Sequence, residues 1–404
     1  MKTLITRSIG ILPIILSGSA LLAFWQPSFA KTAPTSQSKP RIEVCFVLDT
    51  TGSMGGLIEG AKQKIWSIAN EMISAQPTPE LKLGLIGYRD RGDEYVVKSS
   101  SLTDDIDAIY GHLREFQAGG GGDTPESVNE ALAEAIHKMP WSSDSKVLKI
   151  IFLVGDAPPH MDYPNGPKYP DLCREAAKKD LIINTIQCGE MAETKPIWQE
   201  IAKLSEGSYV GISQSGNVAV ISTPMDKELS RLNERIGATL IPYGDSKQQA
   251  EIHAKYAVAA SAPVSAMADR LSYNSKTGKA VQGHGELVDA LNDKTVKLDE
   301  IDQKQLPAEL QKLDRSDLQK RIAKARDERA DLQKQIVEVS KKREAYIQSE
   351  NKRLAAEGKG DAFDQKVTDT LHAQAAKKGI SYWIREVRQN PPQISQISAD
   401  CFDR

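Results

Sequence analysis

Between residues 42 and 212, apolar runs of strand length alternate with stretches whose apolar positions recur every three to four residues. Residues 42–48 are almost continuously apolar, the pattern of a strand covered on both faces. Residues 55–74 follow with Leu57, Ala61, Ile65, Ile68 and Met72 at helical spacing, which predicts an amphipathic helix lying on the sheet. Residues 81–88 read as a second strand and residues 95–98 as a short edge strand. Thr103 is placed to cap a helix striped by Ile106, Ile109, Leu113 and Phe116. After four glycines, Gly119 to Gly122, a helix is predicted from Pro125, with Val128, Leu132, Ile136 and Met139 on one face. Residues 147–154 are the most hydrophobic stretch of strand length and are therefore expected at the centre of the sheet. Helix over 169–179, strand over 181–187, helix over 194–204, strand over 208–212 and a helix over 224–236 capped by Thr223 complete the series. Strands and helices alternating in this way predict an α/β fold: a doubly wound, mostly parallel, Rossmann-like sheet with helices on both faces.

The pattern changes after about residue 244. Residues 245–300, with Gly278, Gly283 and Gly285, read as an irregular connecting region, and residues 301–404 as a largely helical one. From Leu318, the positions Ile322, Ala325, Arg329, Leu332, Ile336, Val339, Arg343 and Tyr346 continue in steps of four and three, which puts one stripe along a long coiled-coil-like helix. Some 40 residues at ~1.5 Å each would extend ~60 Å. The stripe allows a homo-oligomer joined through this helix; Arg329 and Arg343 spoil an ideal seam and leave packing within the same chain equally open. Residues 363–375 look helical, residues 380–387 fit helix or strand, and an irregular tail begins at Asn390.

The beginning of the chain adds a compartment. Lys2 and Arg7 precede an apolar run over residues 9–24, and Ser28-Phe29-Ala30 offers small residues before Lys31, the shape of a cleavable export signal over residues 1–30. The run is short and interrupted against the ~20 apolar residues of a span. The expectation is therefore an exported protein, periplasmic or extracellular, that does not insert in the membrane after cleavage, with residues 31–40 as a disordered spacer. Losing Lys2 and Arg7 takes the net charge from −2 to −4, and a mildly acidic, mixed-sign chain has no global attraction for nucleic acid. Four cysteines are too few for a disulfide scaffold, although Cys173 and Cys188 bracket a helix-to-strand unit and would be able to pair after export.

Chemistry concentrates in three predicted strand-to-helix loops, where open parallel sheets bind ligands. The first is Asp49-Thr50-Thr51-Gly52-Ser53-Met54, the second Gly119 to Gly122 followed by Asp123-Thr124-Pro125-Glu126, the third Gly155-Asp156-Ala157-Pro158-Pro159-His160. Hydroxyls and carboxylates at alternate positions of a tight loop are hard ligands suited to Mg²⁺. Asp-x-Thr-Gly-Ser after an apolar strand resembles the metal-ion-dependent adhesion motif of the von Willebrand factor type A family, and the resemblance covers residues 41–244. It implies a divalent ion, Mg²⁺ or else Mn²⁺ or Ca²⁺, held by Asp49, Thr51 and Ser53 from the first loop and Asp156 from the third. From the second loop the family uses a threonine; here Asp123 directly precedes Thr124, and either oxygen is a candidate. His160 reads as a rim residue, since imidazole is not expected on Mg²⁺. Tyr88-Arg89-Asp90, together with the Gly-Gly-Gly-Asp and Gly-Asp-Ala-Pro-Pro-His forms, is similar to a subgroup of these domains.

The resemblance implies a non-enzymatic protein that binds a protein ligand, an acidic side chain of the partner completing the ion's coordination. Two other functions are consistent with the residues. One is an exported scaffold whose ion steadies the loops. The other is a Mg²⁺-dependent aspartyl-phosphate phosphotransferase with Asp49 as nucleophile, because the first loop also looks like the phosphorylated loop of haloacid-dehalogenase-type enzymes. Arg91-Gly92-Asp93 spells an adhesion tripeptide that arises often by chance. With six histidines and no cysteine metal cluster, a zinc hydrolase is not indicated.

Overall fold

A computed structural model of the chain describes residues 39–216, 220–357 and 362–382. The predicted export signal, most of the spacer, the tail from residue 383 and Cys401 lie outside them. No helix among the described residues is long and apolar enough to cross a membrane.

Six strands form one sheet: β1 (Arg41–Asp49), β2 (Glu80–Tyr88), β3 (Val97–Thr103), β4 (Leu148–Gly155), β5 (Ile182–Cys188) and β6 (Tyr209–Ile212), in the order β3-β2-β1-β4-β5-β6. All neighbours are parallel except β3, which runs antiparallel to β2 at the edge. The chain winds from β1 outward through β2 and β3, then returns to β4 and winds the other way. That reversal opens a crevice at the carboxyl ends of β1 and β4, the place where such sheets bind ligands.

Alternation along β1 shows how the core is divided. Val44, Phe46 and Leu48 face one side, under α1 (Gly55–Met72) and α2 (Ile106–Glu115), while Cys45 and Val47 face the other, under α3 (Val128–His137), α4 (Tyr169–Lys178) and α5 (Thr194–Leu204). Burial on both faces explains the nearly continuous apolar sequence of β1 and β4, interrupted by Glu43 and Lys149 near their starts. Cys173 lies in the cluster on one face and Cys188 in the cluster on the other; both are free and buried, so the pairing left open by the sequence is not made.

Several local expectations change. The edge strand β3 is longer than the pattern suggested, because as an edge it is solvated, with Lys98, Ser99 and Ser101 exposed and little apolar alternation to mark it. Asp105, not Thr103, caps α2, its carboxylate accepting from Ala108 N at 3.0 Å. The helix expected from Pro125 begins at Val128, since residue 126 is held in a parallel bridge to Pro159.

The largest correction concerns residues 245–300, which are mostly helical. After α6 (Asp226–Gly237) come α7 (Ser246–Ala260), α8 (Val264–Thr277) and α9 (Leu287–Asn292). Asp245 and Gln248 make a reciprocal capping box at the start of α7, and Gly278, at φ 77°, ends α8 in the left-handed conformation. The glycines that read as irregularity are helix stops and turns. The long helix α10 (Arg315–Ala356) spans 42 residues, and its stripe is buried within the chain over most of its length, Tyr346 being exposed: Leu332 and Ile336 pack against α6 and α8, Leu318 and Ile322 against residues around α9. Arg329 spoils a coiled-coil seam because it serves this packing, bonding Glu286 at 2.6 and 2.9 Å, Asp289 at 2.7 Å and Thr239 O at 2.7 Å. Finally α11 (Ala362–Lys377) returns to the sheet domain, where Val367, Leu371 and Ala375 join the core under α1.

Candidate functional site

The first loop leaves β1 at Asp49, which is fully buried. Its Oδ1 accepts the backbone N–H of Thr51 at 2.8 Å and the Thr51 hydroxyl at 2.6 Å, and Thr51 Oγ1 lies 3.3 Å from Ser53 Oγ. The alternate-residue geometry expected from the motif is present: Asp49, Thr51 and Ser53 are linked in one chain of oxygens. Ser53 does not act as a helix cap, for neither the tight turn at residues 52–54 nor α1 has a side-chain cap bond.

The second and third loops close on the first. Gly119 N donates to Thr50 O at 3.1 Å and Gly52 N to Gly120 O at 3.3 Å. Gly121, at φ 78°, packs where a Cβ would press on Thr51 and on Glu126 Oε1. At the exit of β4, a side chain on Gly155 would collide with Asp49 and the Tyr88 hydroxyl, so glycine there is what lets Asp156 approach Asp49. Asp156 Oδ2 accepts from Gln214 Nε2 at 2.7 Å. Thr51, Ser53, Asp123, Thr124, Glu126 and Asp156 all line one open cleft of about 280 Å³. Five of the six residues expected from the sequence therefore line this cleft, with Asp123 and Thr124 exposed at the rim, and the sixth, Asp49, is buried behind Thr51.

Charge in this cleft is uncompensated. Burial pushes the Asp49 carboxyl up to about 7; the Thr51 bonds pull it down and the neighbouring Asp156 charge pushes it further up. Glu126 is pushed up to about 9 by burial and by the charges of Asp49, Asp90, Asp93 and Asp156. Asp49 Oδ2, Glu126 Oε2 and the Tyr88 hydroxyl are buried without a hydrogen-bond partner. Orphaned carboxylate oxygens beside hydroxyls are a donor set that suits a hard divalent cation, and such a cation would remove the electrostatic cost. The residues therefore fit the ion that the motif implies.

A second group of ligand-type side chains adjoins the cleft. Single ligand atoms of Asp90, Asp123 and His160 lie within 4.8 Å of one another, a candidate metal-binding triad. His160 is buried and so is no rim residue, as its sequence position had suggested. Burial lowers its affinity for a proton, but the Asp162 hydrogen bond and the charges of Asp90 and Asp162 outweigh this and raise it.

Sequence reasoning passed over the residues that hold the loops together. Arg89 donates to Thr50 O at 3.2 Å and Gln117 O at 2.7 Å, tying the first loop to the second. Asp93 accepts from Asp90 N and Gly121 N, both at 3.0 Å. Glu126, noticed only as an acidic neighbour of Thr124, is among the most perturbed groups. The available signals were the Tyr88-Arg89-Asp90 triplet, read only as similar to a subgroup of the family, and a cluster of charge, Arg89 to Glu94, directly after a buried strand.

Residues 43–224 match the family model described as von Willebrand factor A domain. The von Willebrand factor A domain-containing protein 7 of Rattus norvegicus is 37% identical over 120 residues, covering 30% of this chain and 12% of that protein. The alpha-protein kinase vwkA of Dictyostelium discoideum is 26% identical over 223 residues, 48% of this chain and 32% of its own length. This chain thus covers about a third or less of these relatives. Among solved structures, the SpRpn10 VWA domain aligns with 45% of this chain and 100% of its own at 16% identity and a TM-score of 0.34.

Proposed function

Because residues 43–224 are a von Willebrand factor A domain, with the interaction role that such a domain supports, we propose that this protein is exported and binds a protein ligand through a divalent ion at the three-loop cleft. Asp49, Thr51, Ser53 and Asp156 hold the ion, Mg²⁺ or a similar hard cation, with Thr124 or Asp123 from the second loop. The observation that carries this reading is the buried, unpartnered Asp49 Oδ2 beside Asp156 and Glu126. The cleft is open to solvent, which leaves room for an external ligand. An acidic side chain completing the coordination would form a charge-assisted contact stronger than a surface ion pair.

Phosphotransfer is not favoured by the same geometry. Asp49 is fully buried, which a metal ligand tolerates but which denies a bulky phosphoryl donor the approach that a nucleophile needs. The reading proposed here involves no catalysis.

Calorimetric titration of Mg²⁺ and Mn²⁺ into the metal-stripped protein, beside Asp49→Ala and Asp156→Ala, tests it. Binding by the parent that both substitutions abolish is expected; no binding by the parent overturns it. Peptides bearing Glu, compared with Gln counterparts, then separate the ligand-binding role from a scaffold role. Metal-dependent capture of the acidic peptides alone is expected, whereas metal binding with no such capture would leave the ion only steadying the loops.

A further inference from the structure

We infer that Asp90, Asp123 and His160 form a second cation site beside the three-loop cleft, suited to a borderline transition ion of the Zn²⁺ or Co²⁺ type. His160 Nε2 stands 3.3 Å from Asp90 Oδ2 and 4.0 Å from Asp123 Oδ1. Bonds of ~2.0–2.2 Å to one ion place donor atoms roughly 3–4 Å apart; both distances from His160 Nε2 match that spacing, and all three atoms lie within 4.8 Å of one another.

The orientation of each ligand is set from behind. His160 Nδ1 lies 2.7 Å from Asp162 Oδ1, and the ring stacks on Tyr163 with centroids 4.2 Å apart. A proton held on Nδ1 by Asp162 leaves the Nε2 lone pair directed at Asp90 and Asp123, the carboxylate–histidine–metal arrangement. That Nε2 is buried and makes no hydrogen bond. Asp90 Oδ1 accepts from Ser127 Oγ at 3.0 Å and Tyr163 OH at 3.1 Å, so its Oδ2 remains for the ion. One imidazole with two carboxylates selects a borderline ion, whereas the hydroxyl-rich first site selects a hard one. Asp123 is exposed, so the site opens to solvent on that side and keeps a position for an external ligand.

This assignment also divides the second loop: Asp123 belongs to the new site and Thr124 to the first ion. The inference stands independently of whether the first ion binds. The competing arrangement, an imidazolium bridged between Asp90 and Asp162, takes up no metal.

The test is a titration of Zn²⁺, and of Co²⁺ followed by its visible absorption, into the stripped full chain with Mg²⁺ in excess. Expected is uptake of one ion that survives in Asp49→Ala, is lost in His160→Gln and is at least about tenfold weaker in Asp123→Asn. Asp162→Asn, at an exposed position, should weaken it ~10–100-fold through loss of ring orientation and change the Co²⁺ spectrum. Uptake that Asp123→Asn leaves unchanged overturns the site, and since that side chain is exposed, misfolding is no excuse. Absence of uptake, or uptake lost in Asp49→Ala and kept in His160→Gln, overturns it as well.

Discussion

Within the helical half and where it docks on the sheet domain, Glu286 and Asp289 are buried against the Arg329 guanidinium, Asp107 of α2 is paired with Arg270 of α8 at 2.6 and 2.8 Å, and Asp226 and Asp269 meet Arg343. At the carboxyl ends of β1 and β4, Asp49, Glu126 and Asp156 are just as inaccessible, yet none of them forms an ion pair among the described residues. The chain has arginines to spend on buried carboxylates and places them where packing is the purpose. Where they are withheld, the Asp49 and Glu126 carboxyl groups hold protons until a countercharge comes from outside. The contrast separates structural carboxylates from ligand-binding ones more sharply than burial does, for burial is the same in both.

The contrast breaks most visibly on its structural side. Arg329→Ala strands Glu286 and Asp289 without a countercharge, and a loss of roughly 3–5 kcal/mol is expected in chemical denaturation. A much smaller loss would mean that those carboxylates simply take up protons, and the two regions would differ less than their geometry suggests. On the other side, Mg²⁺ at about 100 times its Kd should stabilise the parent by about 2.7 kcal/mol and Asp49→Ala hardly at all, read from melts with and without chelator.

Proton linkage sharpens the comparison further. Asp49 titrates near 7 when folded against an ordinary value of 3.8. Between those values the folded state holds a proton that the unfolded state has released. The contribution of this group to metal-free stability is therefore fully present below about 3.8 and is lost as pH rises through about 7, by at most about 1.4 kcal/mol per pH unit. Saturating metal, which needs the ionised carboxylate, should flatten this slope, and its affinity should rise over the same range. Equilibrium unfolding at a series of pH values, with and without Mg²⁺, checks both signs. The smallest effect is expected from Glu126→Gln. Glu126, pushed up to about 9, carries its proton at neutral pH in the metal-free protein, so the amide should change metal-free stability by no more than about 0.5 kcal/mol. A larger change would show that Glu126 is already ionised and paired.

The site was legible where a motif sits on consecutive residues. Asp49, Thr51 and Ser53 lie in one loop, and the linked oxygens of that loop follow from their spacing. Glu126 and Asp90 were not legible as site residues, because their role comes from contacts across loops: residue 126 is drawn in by its bridge to Pro159, and Asp90 meets His160 from another strand end. His160 misled for the same reason, a loop position giving no sign that its ring would be buried under Tyr163.

The sequence by itself determined the sheet domain, since apolar runs covered on both faces and helical stripes between them admit little other than a parallel sheet with two helical layers. It also marked the long helix by its stripe, and it supplied, unread, the capping box at Asp245 and the stop at Gly278. Only the tertiary structure decided where that stripe goes. A row of Leu, Ile and Arg can face a second copy or its own chain; Arg329 turned inward because Glu286, Asp289 and Thr239 O were there to receive it. Likewise, which carboxylates keep a countercharge depends on distances between segments far apart in the chain, and those exist only once the core has closed.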